Sequence, residues 1–132
     1  MSRQIYVNVP VKDLEKSKTF FTSLGFSFNA QLSNETAVCM IISESIFVML
    51  LTEQFFKTFT TKPIANAKAS TEVLICLSCA SRTEVDDLVR KAVTAGGSVP
   101  RGPQDHEFMY AHGFEDIDGH IWELVYMEST PN

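Results

Sequence analysis

The sequence predicts an α+β fold: two βαβββ modules forming a curled mixed sheet around a cavity, with the helices on the outside. Three observations carry this expectation. Runs rich in β-branched and aromatic residues alternate with two amphipathic helical stretches, in the order βαβββ and then again βαβββ. "TFFTSLGFSF" and "KAVTAGGSVP" occupy matching places, each a helix end, a glycine and a strand, so the repeat lies in the pattern and little in the residues. A single module offers a sheet too small to bury both faces alone, so helices on the convex side leave strands curled around a concavity.

Ile5 to Val9 (IYVNV) reads as a strand ended by Pro10. A helix follows, with Asp13 as N-cap and Leu14, Ser17, Phe21 and Leu24 on one face, and it stops at Gly25. Phe26 to Phe28, Thr36 to Ile42 and Ile46 to Leu51 read as three strands, closing module 1 at about residues 1–52. Residues 53–71 read as a linker with a short helix around Phe55 to Phe59. Module 2, about residues 72–128, starts with a strand at Glu72 to Cys79. Ser81-Arg-Thr-Glu84 is a capping box opening a helix whose Val85, Leu88, Val89, Ala92 and Val93 share a stripe, and Gly96-Gly97 ends it. Strands around Ser98 to Val99, Phe108 to Phe114 and Ile121 to Tyr126 complete the module.

Composition narrows the partners. The chain has 132 residues, a formal net charge of −5 and eleven scattered Lys and Arg, so no basic stripe meets a nucleic acid. No run approaches the length that spans a bilayer, and the N-terminus lacks the apolar stretch of a signal peptide, so a soluble cytoplasmic protein is expected. Cys39, Cys76 and Cys79 then read as reduced thiols. Cys76 and Cys79 spell C-x-x-C, but on a strand residues three apart point to opposite faces, which disfavours a shared metal. No phosphate loop, nucleophile elbow, H-E-x-x-H or dinucleotide fingerprint occurs.

The chemistry concentrates in "FEDIDGHIWEL", Phe114 to Leu124. Asp116-Ile-Asp-Gly119 is a turn sequence. With those residues as the loop, Glu115 pairs with His120 and His112 falls directly across from Glu123. Parity then points Ile121, Glu123 and Val125 one way, into the cavity, and Trp122, Leu124 and Tyr126 toward the helices. A carboxylate between Ile and Val is desolvated, which suits a general base or a ligand; the alternative is a His112–Glu123 pair that only orders the sheet. His120 and His106 read as surface residues. Tyr6, Asn8, Phe108, Tyr110, His112 and Glu123 form the expected inward lining, either of a ligand pocket or of a plain aromatic core.

"VNVPVKDLEKSKTFFTSLGFSF", "AGGSV" and "FEDIDGHIWEL" together resemble the vicinal oxygen chelate superfamily of glyoxalases, bleomycin-resistance proteins and extradiol dioxygenases. Within it they look closest to the bacterial group called predicted lactoylglutathione lyases. The last stretch is similar to the family's F-x-D-P-D-G-x-x-x-E-L, with Ile117 in place of Pro. The resemblance implies a small organic ligand, a homodimer and, in the enzymes, a divalent metal held from inward strand positions of both halves. Those positions fall on Tyr6, on Leu50 or Met49, on Leu74 and on Glu123, of which Glu123 alone is a usual ligand, so no metal cofactor is expected. Three functions follow from the resemblance: a glyoxalase-like lyase using Glu123 with His112, a sequestering protein without turnover, or a metal-dependent lactoylglutathione lyase or dioxygenase using other ligands.

Overall fold

The computed structural model describes residues 3–128. The chain divides into two units, Met1–Ala65 and Asn66–Asn132. Each holds one four-stranded mixed sheet with helices, as the doubled pattern predicts.

In unit 1 the strands are β1 (Ile5–Val11), β2 (Ser27–Asn29), β3 (Ala37–Ser43) and β4 (Ile46–Thr52), ordered β1-β4-β3-β2. β1 runs parallel to β4, and the other neighbours are antiparallel. The strand expected to stop at Pro10 continues through it to Val11, because β1 is the edge of its sheet, where a residue without an N–H is tolerated. Helix α1 (Leu14–Ser23) begins at Asp13, whose side chain accepts from the Lys16 N–H at 3.1 Å. Its Phe20 and Phe21 are buried, as are Val9, Val11, Val48 and Leu50 of the sheet. After Thr52 a short α2 (Glu53–Phe56) and a 3-10 turn (Lys57–Phe59) give the expected linker helix, started by the Thr52 hydroxyl, which accepts from the Phe55 N–H.

Unit 2 repeats the plan with β5 (Leu74–Ser78), α3 (Arg82–Thr94), β6 (Gln104–Asp105), β7 (Met109–Glu115) and β8 (Ile121–Met127), ordered β5-β8-β7-β6. β5 is parallel to β8. The Ser81 hydroxyl accepts from the Glu84 N–H at 3.0 Å, while the Glu84 carboxylate reaches back to the N–H of Ala80 at 2.7 Å. Val85, Val89 and Ala92 are buried against the sheet, but Val93 is exposed, since eight helical steps carry it about 80° off the line of Val85. The strand expected at Ser98 and Val99 reduces to one bridge between Ser98 and Glu115, and Gln104 and Asp105 add the two-residue β6. Among the described residues no helix is long and apolar enough to cross a membrane.

Candidate functional site: one carboxylate on an open sheet face

The β7–β8 register decides which residues meet. Glu115 pairs with Ile121, Gly113 with Glu123, and His112 with Leu124. The loop therefore runs from Asp116 to His120, one residue longer than the turn sequence predicts. Asp116 is the cause. It is 5 % exposed; one carboxylate oxygen accepts from the N–H groups of Asp118 (2.9 Å) and His120 (3.0 Å), the other from the Trp122 indole N–H (3.0 Å). Its own N–H donates to the His120 carbonyl at 2.9 Å, which draws His120 into the loop. Burial pushes the Asp116 carboxyl above the usual carboxylate range, against the pull of His120, the indole and the two backbone donors.

A one-residue slip moves a whole strand's side chains to the other face. The expected His112–Glu123 pair is thereby corrected. His112 shares its face with Leu124, as Phe114 does with Trp122, and those rings stack with centroids 6.4 Å apart. That face belongs to α3. The Tyr110 hydroxyl donates to Asp86 of α3 at 2.6 Å, a bond that is the leading cause of its raised pKa. The Arg82 guanidinium, also on α3, lies 5.3 Å above the Tyr110 ring and bonds Asp105 at 2.8 Å. His112 Nε2 is buried without a hydrogen-bond partner among the described residues. Phe108 precedes β7 on the parity of Tyr110 and is exposed. Phe108, Tyr110 and His112 thus stand apart from the face of Glu123, for the same reason.

The other two residues of the expected lining, Tyr6 and Asn8, lie on one face of β1 in unit 1. Tyr6 is opposite Phe47, its ring stacked on it at 4.9 Å, and Asn8 is opposite Met49. Leu50 lies opposite Val9, and both are buried, so Met49 and not Leu50 shares the face of Tyr6 and Asn8.

Glu123 sits on the open face of the unit 2 sheet, between Cys76 of β5 and Gly113 of β7 and flanked along β8 by Ile121 and Val125. Cys76, Ser78 and Leu74, on the same face of β5, are exposed. Gly113 makes room for the carboxylate: a Cβ there would run into the carboxylate of Glu123 and stand 2.7 Å from the Trp122 carbonyl. Arg101 approaches Glu123 at 3.8 Å with its own side chain 64 % exposed. Sequence reasoning missed Arg101, whose only local signal is a cation set between Pro100, Gly102 and Pro103. Partial loss of hydration, and second the Glu123 charge, raise the pKa of the Cys76 thiol. Cys79 lies beyond the end of β5, and burial, then the neighbouring Glu84, push its thiol up to about 11.

Metal chemistry needs more donors than this face offers. Among the described residues no group of three His, Cys, Asp or Glu is placed to hold a metal ion. The other ligand positions implied by the resemblance fall on Tyr6, on Leu50 or Met49 and on Leu74, without an imidazole or carboxylate. The donor set does not fit a divalent ion.

The profile of the glyoxalase/bleomycin resistance protein/dioxygenase superfamily matches residues 3–124. No curated protein matches the chain. Among solved structures, a hypothetical protein from S. aureus is 31 % identical with a TM-score of 0.80, covering 96 % of this chain and 95 % of that one. A glyoxalase-related enzyme from Fulvimarina pelagi is similar at 20 % identity and a TM-score of 0.79, over 96 % of this chain and 88 % of that one. The fosfomycin resistance protein from Mesorhizobium loti, 16 % identical with a TM-score of 0.67 over 98 % and 94 % of the two chains, shares the fold. With the sequence profile spanning both βαβββ units, this chain belongs to the glyoxalase/bleomycin resistance protein/dioxygenase superfamily.

Proposed function

We propose that the chain binds a small organic molecule on the open sheet face of unit 2, with Glu123 as its polar anchor. One observation carries this reading: a carboxylate seated over a glycine, between Ile121 and Val125, that makes no hydrogen bond among the described residues and has only the distant Arg101 as a partner. A carboxylate kept in that state costs stability and serves a ligand as acceptor or base. Metal-independent binding is the core of the proposal, because three protein ligands are the norm for a catalytic metal and this face has one carboxylate. Sequestration is favoured over lyase chemistry, since Glu123 has no second carboxylate placed opposite it: its cross-strand partners are Cys76 and Gly113.

A homodimer belongs to the same proposal. β1 and β5 are sheet edges with one unpaired side, and Phe59 stays 63 % exposed after packing edge-on to Phe55. The test is a ligand screen on purified protein with and without added Ni, Zn, Mn or Fe, comparing wild type with Glu123→Gln. Binding that needs no metal and weakens at least about tenfold in the variant supports the reading. Stoichiometric metal lost in Glu123→Gln, or binding indifferent to it, overturns it.

A further inference from the structure

Resting on the reading of Glu123 as a ligand anchor, we propose that the face accepts a small zwitterion: Arg101 takes its carboxylate, Glu123 its ammonium group, and Ile121 and Val125 its apolar body.

The charged pair on this face is unfinished. Arg101 and Glu123 stand 3.8 Å apart, beyond the roughly 2.7–2.9 Å of a charge-assisted hydrogen bond. Neither group makes a hydrogen bond among the described residues, so a planar fork of N–H donors and a carboxylate wait side by side. Together they are neutral. A ligand that is only anionic meets Glu123 as a like charge, and one that is only cationic meets Arg101. A molecule with both charges a few bonds apart satisfies both.

Arg101 is held for this role from the other side of the sheet. Strand alternation puts Gln104 on the open face, opposite Ala111, and Asp105 on the helix side, opposite Tyr110. Asp105 is there fastened to Arg82 of α3 at 2.8 Å, and Arg82 also reaches Glu128 at 3.6 Å. The clasp on one face fixes the strand that leads to Arg101, and Pro100 and Pro103 stiffen the segment that carries it. Gly113 completes the arrangement by keeping the Glu123 carboxylate low against β7.

The test uses the full chain and four probes sharing one ring: L-phenylalanine, 3-phenylpropanoate, 2-phenylethylammonium and 2-phenylethanol. Amide resonances of Ile121, Glu123 and Val125 report binding. L-phenylalanine is expected to bind about tenfold more tightly than either singly charged probe. Arg101→Gln is expected to reduce it to the affinity of 2-phenylethylammonium, Glu123→Gln to that of 3-phenylpropanoate, and Arg101→Lys to retain part of the preference, with thermal unfolding of each variant checking that it is folded. A singly charged probe binding as tightly as L-phenylalanine, or an Arg101→Gln variant with unchanged selectivity, overturns the zwitterion assignment. If 2-phenylethanol alone moves these amides, the site stands and the ligand class fails. If no probe moves them, both fail.

Discussion

The two sheets share strand order and differ in what their open faces do. In unit 1 the residue opposite Asn8 is Met49; in unit 2 the residue opposite Cys76, in the matching place of the parallel edge pair, is Glu123. Around Met49 the centre of the same face is packed, with Phe47, Leu51 and Cys39 buried, and its β1 edge, Tyr6 and Asn8, is exposed. Around Glu123 it stays open, with Cys76, Ser78 and Leu74 exposed and Ile121 and Val125 half-buried. One backbone pattern thus carries a methionine among buried neighbours in one module and a carboxylate beside exposed ones in the other, which is why fold alone does not give function.

The largest expected effects compare the two polar turns. Asp116 and Asn34 each accept three hydrogen bonds, but Asp116 is buried and Asn34 is exposed. Asp116→Ala leaves the buried Trp122 N–H and two backbone donors unmet and should cost about 3 kcal/mol in denaturant unfolding, against about 1 kcal/mol for Asn34→Ala. The acid has a pH signature too. Because its folded pKa is raised, its contribution is fully present below about pH 4, the unfolded value, and is lost as pH rises through the folded one. The stability of wild type relative to Asp116→Asn should therefore fall as pH rises from about 4.

Gly113→Ala comes next, at about 2 kcal/mol, because the new Cβ meets the Trp122 carbonyl and displaces the Glu123 carboxylate. Thermal unfolding gives the cost, and the ligand screen gives the displacement. Exchanging the residues that distinguish the sheets should then act in opposite directions. Met49→Glu is expected to destabilise by about 2 kcal/mol, and Glu123→Met to stabilise by up to about 1 kcal/mol while abolishing binding. The smallest effect lies in thiol chemistry. Removing the Glu123 charge lowers the barrier to a Cys76 thiolate, so Glu123→Gln should speed alkylation of Cys76 at pH 8 about threefold. Cys79, with its thiol pushed up to about 11, and the buried Cys39 should stay slow in both proteins.

Much of the fold was legible because its signals are local. The Asp13 cap, the Ser81 and Glu84 box, the terminating glycines and the β-branched and aromatic runs of the strands each act within a few residues. The site was only half legible. Glu123 could be placed by parity within its own strand, but its neighbours depended on the hairpin register, and an Asp-Gly turn is compatible with more than one loop length. Asp116 reads in the sequence as one residue of a turn, whereas its burial under Trp122 sets the register and sends His112 and Tyr110 to α3. Arg101 meets Glu123 only through folding of a chain segment without regular periodicity, which no spacing rule reaches.

The most direct test is the dissociation constant of one ligand from the screen, measured by NMR titration on Glu123→Gln and His112→Gln side by side with wild type. With Glu123 on the open face and His112 under α3, Glu123→Gln should weaken binding at least about tenfold and His112→Gln should leave it within about twofold. Equal losses in the two variants, or a loss confined to His112→Gln, would contradict the account.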